Sequence, residues 1–177
     1  MGLPSGIQWA NCNVGAMSLV DIGQYFSWGN TDGHNIDEGY NFSQEVYDST
    51  PAAGIATNLS LEQDAARADL GAPWRMPTST EFQELVDNCT SVWTTLNGVF
   101  GRLFTSNVNG STLFFPAAGY YGGTSLVRRG EVGLLWSSTY DSDTRAHGLN
   151  FDSSGVYPEY VSFRRLGFSV RAVMNPI

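Results

Sequence analysis

Cys12, Cys89, His34 and His147 are the side chains with the widest chemical repertoire here, and each stands alone in the sequence. A zinc site needs Cys or His in close pairs, a spacing these four lack. The cysteines are compatible with one disulfide in an oxidising compartment or with two small buried thiols. A serine or cysteine hydrolase needs a base beside its nucleophile. Both histidines lie in polar, turn-like contexts and read as surface residues, and no G-x-S-x-G elbow is present. Asp141 and Asp143 would suit a glycosidase pair by type, but they sit in a serine-rich turn, where Asp ordinarily caps backbone groups. "DGHNIDE" at 32–38 offers oxygens from Asp32, Asn35, Asp37 and Glu38 but lacks the alternating ligands and terminal Glu of an EF-hand, so it reads as a solvated loop. "GYYGGTSL" lacks the Lys and the helix of a phosphate cradle. No catalytic residue, metal ligand or cofactor follows.

Contact chemistry is better represented. Between 136 and 168 lie Trp136, Tyr140, Phe151, Tyr157, Tyr160, Phe163 and Phe168, with Arg145, Arg164 and Arg165 among them. Trp136, Phe151 and Phe168 have small or aliphatic neighbours and read as core. A period-two strand cannot bury Tyr157, Tyr160 and Phe163 together, so they are expected at the surface, with Glu159, Ser162 and Arg165 sharing the exposed regions. Rigid amphipathic rings beside Arg suit a recognition face.

Such a face needs a scaffold, and 177 residues with 42% hydrophobic and 15% charged content suffice for one packed domain. The chain has no Lys and a net charge of -8, which disfavours nucleic acid and anionic lipid as partners. Charge is uneven: residues 1–127 carry 3 Arg against 12 acids, and 128–177 carry 6 Arg against 5. No apolar run reaches the ~20 residues that span a bilayer, and the start lacks signal-peptide features.

"IQWANCNVGA" reads as a strand and "DIGQYFSWGN" as a second short element, followed by a long surface loop over 29–58. A first helix is expected in "LSLEQDAARADLG", capped by Ser60 with Gln63 in the capping-box position, stopped by Gly71, and burying Leu61, Ala65, Ala68 and Leu70. A second is expected in "RMPTSTEFQELVDNCT", where Thr78 and Glu81 have capping-box spacing and Phe82, Leu85 and Val86 form a stripe. After residue 90 the period falls to two, with Asn-Gly, Gly-Gly and Ser-Gly turns. The expected class is α+β: two helices in the N-terminal half and an antiparallel β-rich C-terminal half.

"WANCNVGA", "YFSWGNT", "LEQDAARADLGAPWRMPTSTEFQELVDNCT", "PAAGYYGG" and "LWSST...AHGLNFDSSGVY...RRLGFSVRAV" occur in order over nearly the whole chain. Together they resemble the Fibrobacter succinogenes major paralogous domain, a group common in Bacteroidota and their phages. The resemblance implies a C-type-lectin-like fold, with residues 1–177 as a single domain that can be the C-terminal part of a longer protein. A subset of that fold is similar to the variable proteins of diversity-generating retroelements, in which adenine mutagenesis diversifies a C-terminal cassette. Tyr140 to Arg165 contains only residues such mutagenesis permits, except Glu159.

Carried over by position, the resemblance implies that Trp136, Ser137, Ser138, Ala146, Leu149, Phe151, Arg164, Gly167, Ser169, Val170 and Arg171 are framework. Between them, Tyr140, Asp141, Asp143, Arg145, His147, Asn150, Asp152, Tyr157, Glu159, Tyr160, Ser162 and Phe163 would form the ligand-binding face. The implied function is non-enzymatic: receptor binding or adhesion at a cell surface or on a virion, with a protein or glycan as partner and no insertion into a membrane. The alternative is a structural module without a ligand at this face. The Glu-Pro-Asn and Trp-Asn-Asp signatures of calcium-dependent lectins are missing. The fold is also similar to formylglycine-generating enzymes, but Cys12 and Cys89 match no reactive-cysteine motif of that group.

Overall fold

The architecture comes from a computed structural model that describes residues 1–44 and 57–177. It is α+β. Strand β1 (Gln8–Asn13) opens the fold, followed by helices α1 (Ala65–Leu70) and α2 (Ser79–Asp87). Nine strands follow: β2 (Cys89–Leu96), β3 (Val99–Ser106), β4 (Thr112–Pro116), β5 (Tyr120–Gly122), β6 (Ser125–Val127), β7 (Gly133–Tyr140), β8 (Arg145–Phe151), β9 (Val156–Phe163) and β10 (Arg171–Met174). They form antiparallel sheets in the orders β1-β10, β2-β3-β4, β5-β6 and β7-β8-β9. Pairing of the first strand with the last, with Trp9 opposite Val173, joins the two halves of the chain.

Local signals account for much of this. Thr78 caps α2 in a full capping box with Glu81, and Phe82 and Leu85 are buried on its inner stripe. Asn97 and Gly98, with φ of 48° and 80°, close the two-residue β2–β3 hairpin, the left-handed pair that a type I′ turn requires. The first helix differs from the sequence expectation. Residues Leu61–Gln63 form a 3-10 turn, Ser60 makes no side-chain cap, and Asp64 caps α1 instead. The Asp64 carboxylate accepts from Arg67 N at 2.9 Å and from Met76 N at 2.8 Å, two bonds that one Ser hydroxyl could not accept in that geometry. The start thus moves past Ser60 and Gln63, and the buried face moves with it. Ala65 and Ala66 are buried, whereas Leu61, Ala68 and Leu70 are exposed.

Two cores lie on opposite sides of β7. Leu135 joins Trp9, Phe82, Leu85, Phe115, Leu149 and Phe151 on one side. Leu134 and Trp136 join Phe26, Trp28, Met76 and Phe168 on the other, where the rings of Trp136 and Phe168 stack 4.0 Å apart. A strand buried on both faces reads as a continuous apolar run, as "VGLLW" does. Full burial of each such side chain stabilises by about 1.5–3 kcal/mol.

The expected surface loop over 29–58 is only partly loop-like, and its residues 45–56 lie outside the described residues. Phe42 is 1% exposed and packs in a third cluster with Tyr25, Ala118 and Tyr121. His34 is no surface residue either: its ring stacks on Tyr40 at 3.4 Å. Nδ1 of His34 lies 3.0 Å from Oε1 of Glu38, whose Oε2 accepts from Asn35 N, so "DGHNIDE" is folded by its own contacts. Among the described residues no helix is long and apolar enough to cross a membrane.

Candidate binding face

Strands β8 and β9 carry most of the residues expected to bind. Their register sets Arg145 opposite Phe163 and His147 opposite Val161; beyond a shift between Gly148 and Asn150, Asn150 faces Tyr157. Opposed antiparallel residues share one face, so each pair presents both side chains to the same side. The intervening pairs, Ala146 with Ser162 and Gly148 with Tyr160, turn toward the second core. Ser162 is therefore buried, a correction to its expected place on the surface. Tyr160 is half-buried and packs on the second core, unlike Tyr157 and Phe163, which are 45% and 38% exposed.

Helix α2 runs beside these strands and leaves a groove of about 690 Å³, lined by Gln83 and Val86 from the helix and by Asn150, Tyr157, Glu159 and Val161 among the strand residues. A second hollow of about 410 Å³ shares Gln83 and Glu159 and adds Ser79, Thr80 and His147. Of these wall residues, Ser79, Thr80, Gln83, Val86 and Val161 lie outside the set expected from the sequence. Ser79, Gln83 and Val86 lie at i, i+4 and i+7, so the helical period already placed them on one stripe.

Polar groups divide between turns and open positions. Tyr140 Oη donates to Asp143 Oδ1 at 2.8 Å, and that bond pushes the phenol above its ordinary range. Asp141 lies 3.7 Å from His147 Nε2. Asp152 Oδ1 accepts from Ser154 Oγ, Ser154 N and Gly155 N, and these bonds hold its carboxyl below the usual range, the Ser154 hydroxyl foremost. Asp152 thereby serves the β8–β9 turn. His147 Nδ1 and Asn150 Oδ1 are buried without a hydrogen-bond partner among the described residues.

The arginines have two fates. Arg164 is 1% exposed, donates to Asp143 O and covers the Trp28 ring. Arg145 and Arg165 are exposed, with guanidinium carbons 4.8 and 4.7 Å from the Phe163 ring centre. Every position in the framework set is buried, and every position in the binding-face set except Ser162 is exposed or half-buried.

Cys12 and Cys89 are free thiols. Burial pushes the Cys89 thiol up, away from the thiolate that reactive cysteines need. No group of three or more His, Cys, Asp or Glu residues able to hold a metal ion occurs among the described residues. Compared with family models, curated proteins and solved structures, the chain matches none.

Proposed function

We propose that this chain is a non-enzymatic display domain with a C-type-lectin-like fold, whose β8–β9 face and adjoining groove bind a partner at a cell surface or from a virion. The cassette from Tyr140 to Arg165 is diversified by a retroelement. One observation carries the reading: burial separates the positions that resemble framework from those that resemble variable sites, Ser162 apart. A surface can change its side chains freely only where they lie outside the core, and Tyr157, Glu159, Phe163 and Arg145 meet that condition.

The test is the surrounding DNA. A near-identical template repeat differing at adenines, beside a reverse-transcriptase gene, is the expected finding. Genomic copies that vary no more at these positions than over the remaining exposed surface would leave a structural module in its place.

A further inference from the structure

We propose that Arg145, Phe163 and Arg165 form a carboxylate clamp for an acidic segment of a partner protein, an assignment that rests on the display reading and gives it a ligand chemistry. Two guanidiniums converge on one ring, so their charges lie no farther apart than the two ring distances together, about 9.5 Å. Among the described residues neither Arg makes an ion pair. The acids nearest Arg145 in sequence make other contacts: Asp143 accepts from Tyr140, and Asp141 faces His147. In a chain of net charge -8 this leaves two guanidiniums without a direct ion pair among the described residues at one end of the face. The Phe163 ring orients both forks, and a carboxylate accepting from both relieves their repulsion.

The rest of the face favours a polypeptide over an anionic polysaccharide. Along the same strand Glu159 stands four residues from Phe163, about 13 Å away at strand spacing. Beside it Asn150 Oδ1 is a buried acceptor with no donor among the described residues. A uniformly anionic chain lying along β9 would bring like charge to Glu159 and no cation. A polypeptide supplies an acid at one end and N–H donors or a basic side chain at the other. Strand β9 is also the outer strand of its sheet, where an extended partner segment can pair through its backbone.

The experiment titrates the end-capped hexapeptide Glu-Glu-Gly-Gly-Gly-Lys, acidic at one end and basic at the other, into the full chain at low salt, following the Arg Nε–Hε resonances by NMR. The Arg145 and Arg165 signals should move most. Arg145→Gln/Arg165→Gln should weaken binding at least about tenfold, and Arg128→Gln/Arg129→Gln, which removes two other exposed charges, less than about twofold. Arg145→Lys/Arg165→Lys keeps the charge without the fork and should fall between, which guards against a folding defect in the Gln variant. Equal losses in both Gln variants, no binding at low salt, or tighter binding of heparin through the same two arginines would each overturn the assignment. A template repeat found without binding of the hexapeptide removes the clamp and keeps the display reading; the reverse result keeps the clamp and removes diversification.

Discussion

Three aromatic side chains on β9 share a strand and differ in what holds them. Tyr157 and Phe163 reach solvent, so Tyr157→Ser and Phe163→Ser should each change unfolding free energy by about 0.5 kcal/mol or less. Tyr160 packs on the second core, and Tyr160→Ser should cost about 1–3 kcal/mol in thermal or urea denaturation. A loss above about 2 kcal/mol for Tyr157→Ser would place that ring in the core instead. Asp152 gives a pH test. Its folded pKa lies below the ordinary value of 3.8, so its stabilising contribution is present above that value and fades as pH falls through the lowered one. Ser154→Ala should raise the Asp152 carboxyl back toward 3.8, measured by carbon-13 NMR of the carboxyl group. The site was legible to the extent that alternation and residue type expose it, as at Tyr157 and Phe163. Ser162 and Tyr160 escaped because the inward face of β9 depends on pairing with Ala146 and Gly148, and the register shift beyond Gly148 has no mark in composition.

At the level of elements, α1 and α2 show why one start was readable and the other was not. The capping box of α2 lies within four residues, and local geometry decides it. The start of α1 depends on Met76 N reaching Asp64 from beyond the helix, a contact twelve residues away that makes Asp64 a better cap than Ser60. Ser60→Ala should therefore be silent within about 0.5 kcal/mol. Asp64→Ala should cost about 2–4 kcal/mol, because it removes the cap and leaves the Met76 N–H buried and unpaired. Equal small effects in urea melts would return the helix start to Ser60. Distance likewise hid the aromatic cluster around Phe42: its partner Tyr121 comes from the far half of the chain, so a Gly- and Asn-rich stretch looked like plain loop.

Across the molecule, Arg171 separates the scaffold from the face it displays. It is fully buried, and burial pulls its pKa down to about 9, leaving it charged at neutral pH. Nε donates to Asn13 Oδ1, Nη1 to Ala10 O and Asn11 O, and Nη2 to Phe114 O, so one side chain on β10 ties β1 to β4. The Phe115 ring lies 4.4 Å beneath its guanidinium carbon. Arg171→Met leaves these acceptors unpaired and should cost about 3–5 kcal/mol, a large share of the 5–15 kcal/mol typical of a domain. Arg171→Lys should recover only part of that, because a point charge cannot reproduce the fork. None of these contacts reaches Arg145, Phe163 or Arg165. The folded fraction of Arg171→Lys should therefore bind the acidic-to-basic hexapeptide with the affinity of the parent chain, once the unfolded fraction from urea melts is subtracted. A drop in affinity beyond that fraction would mean that the buried tie between the first and last strands also shapes the binding face.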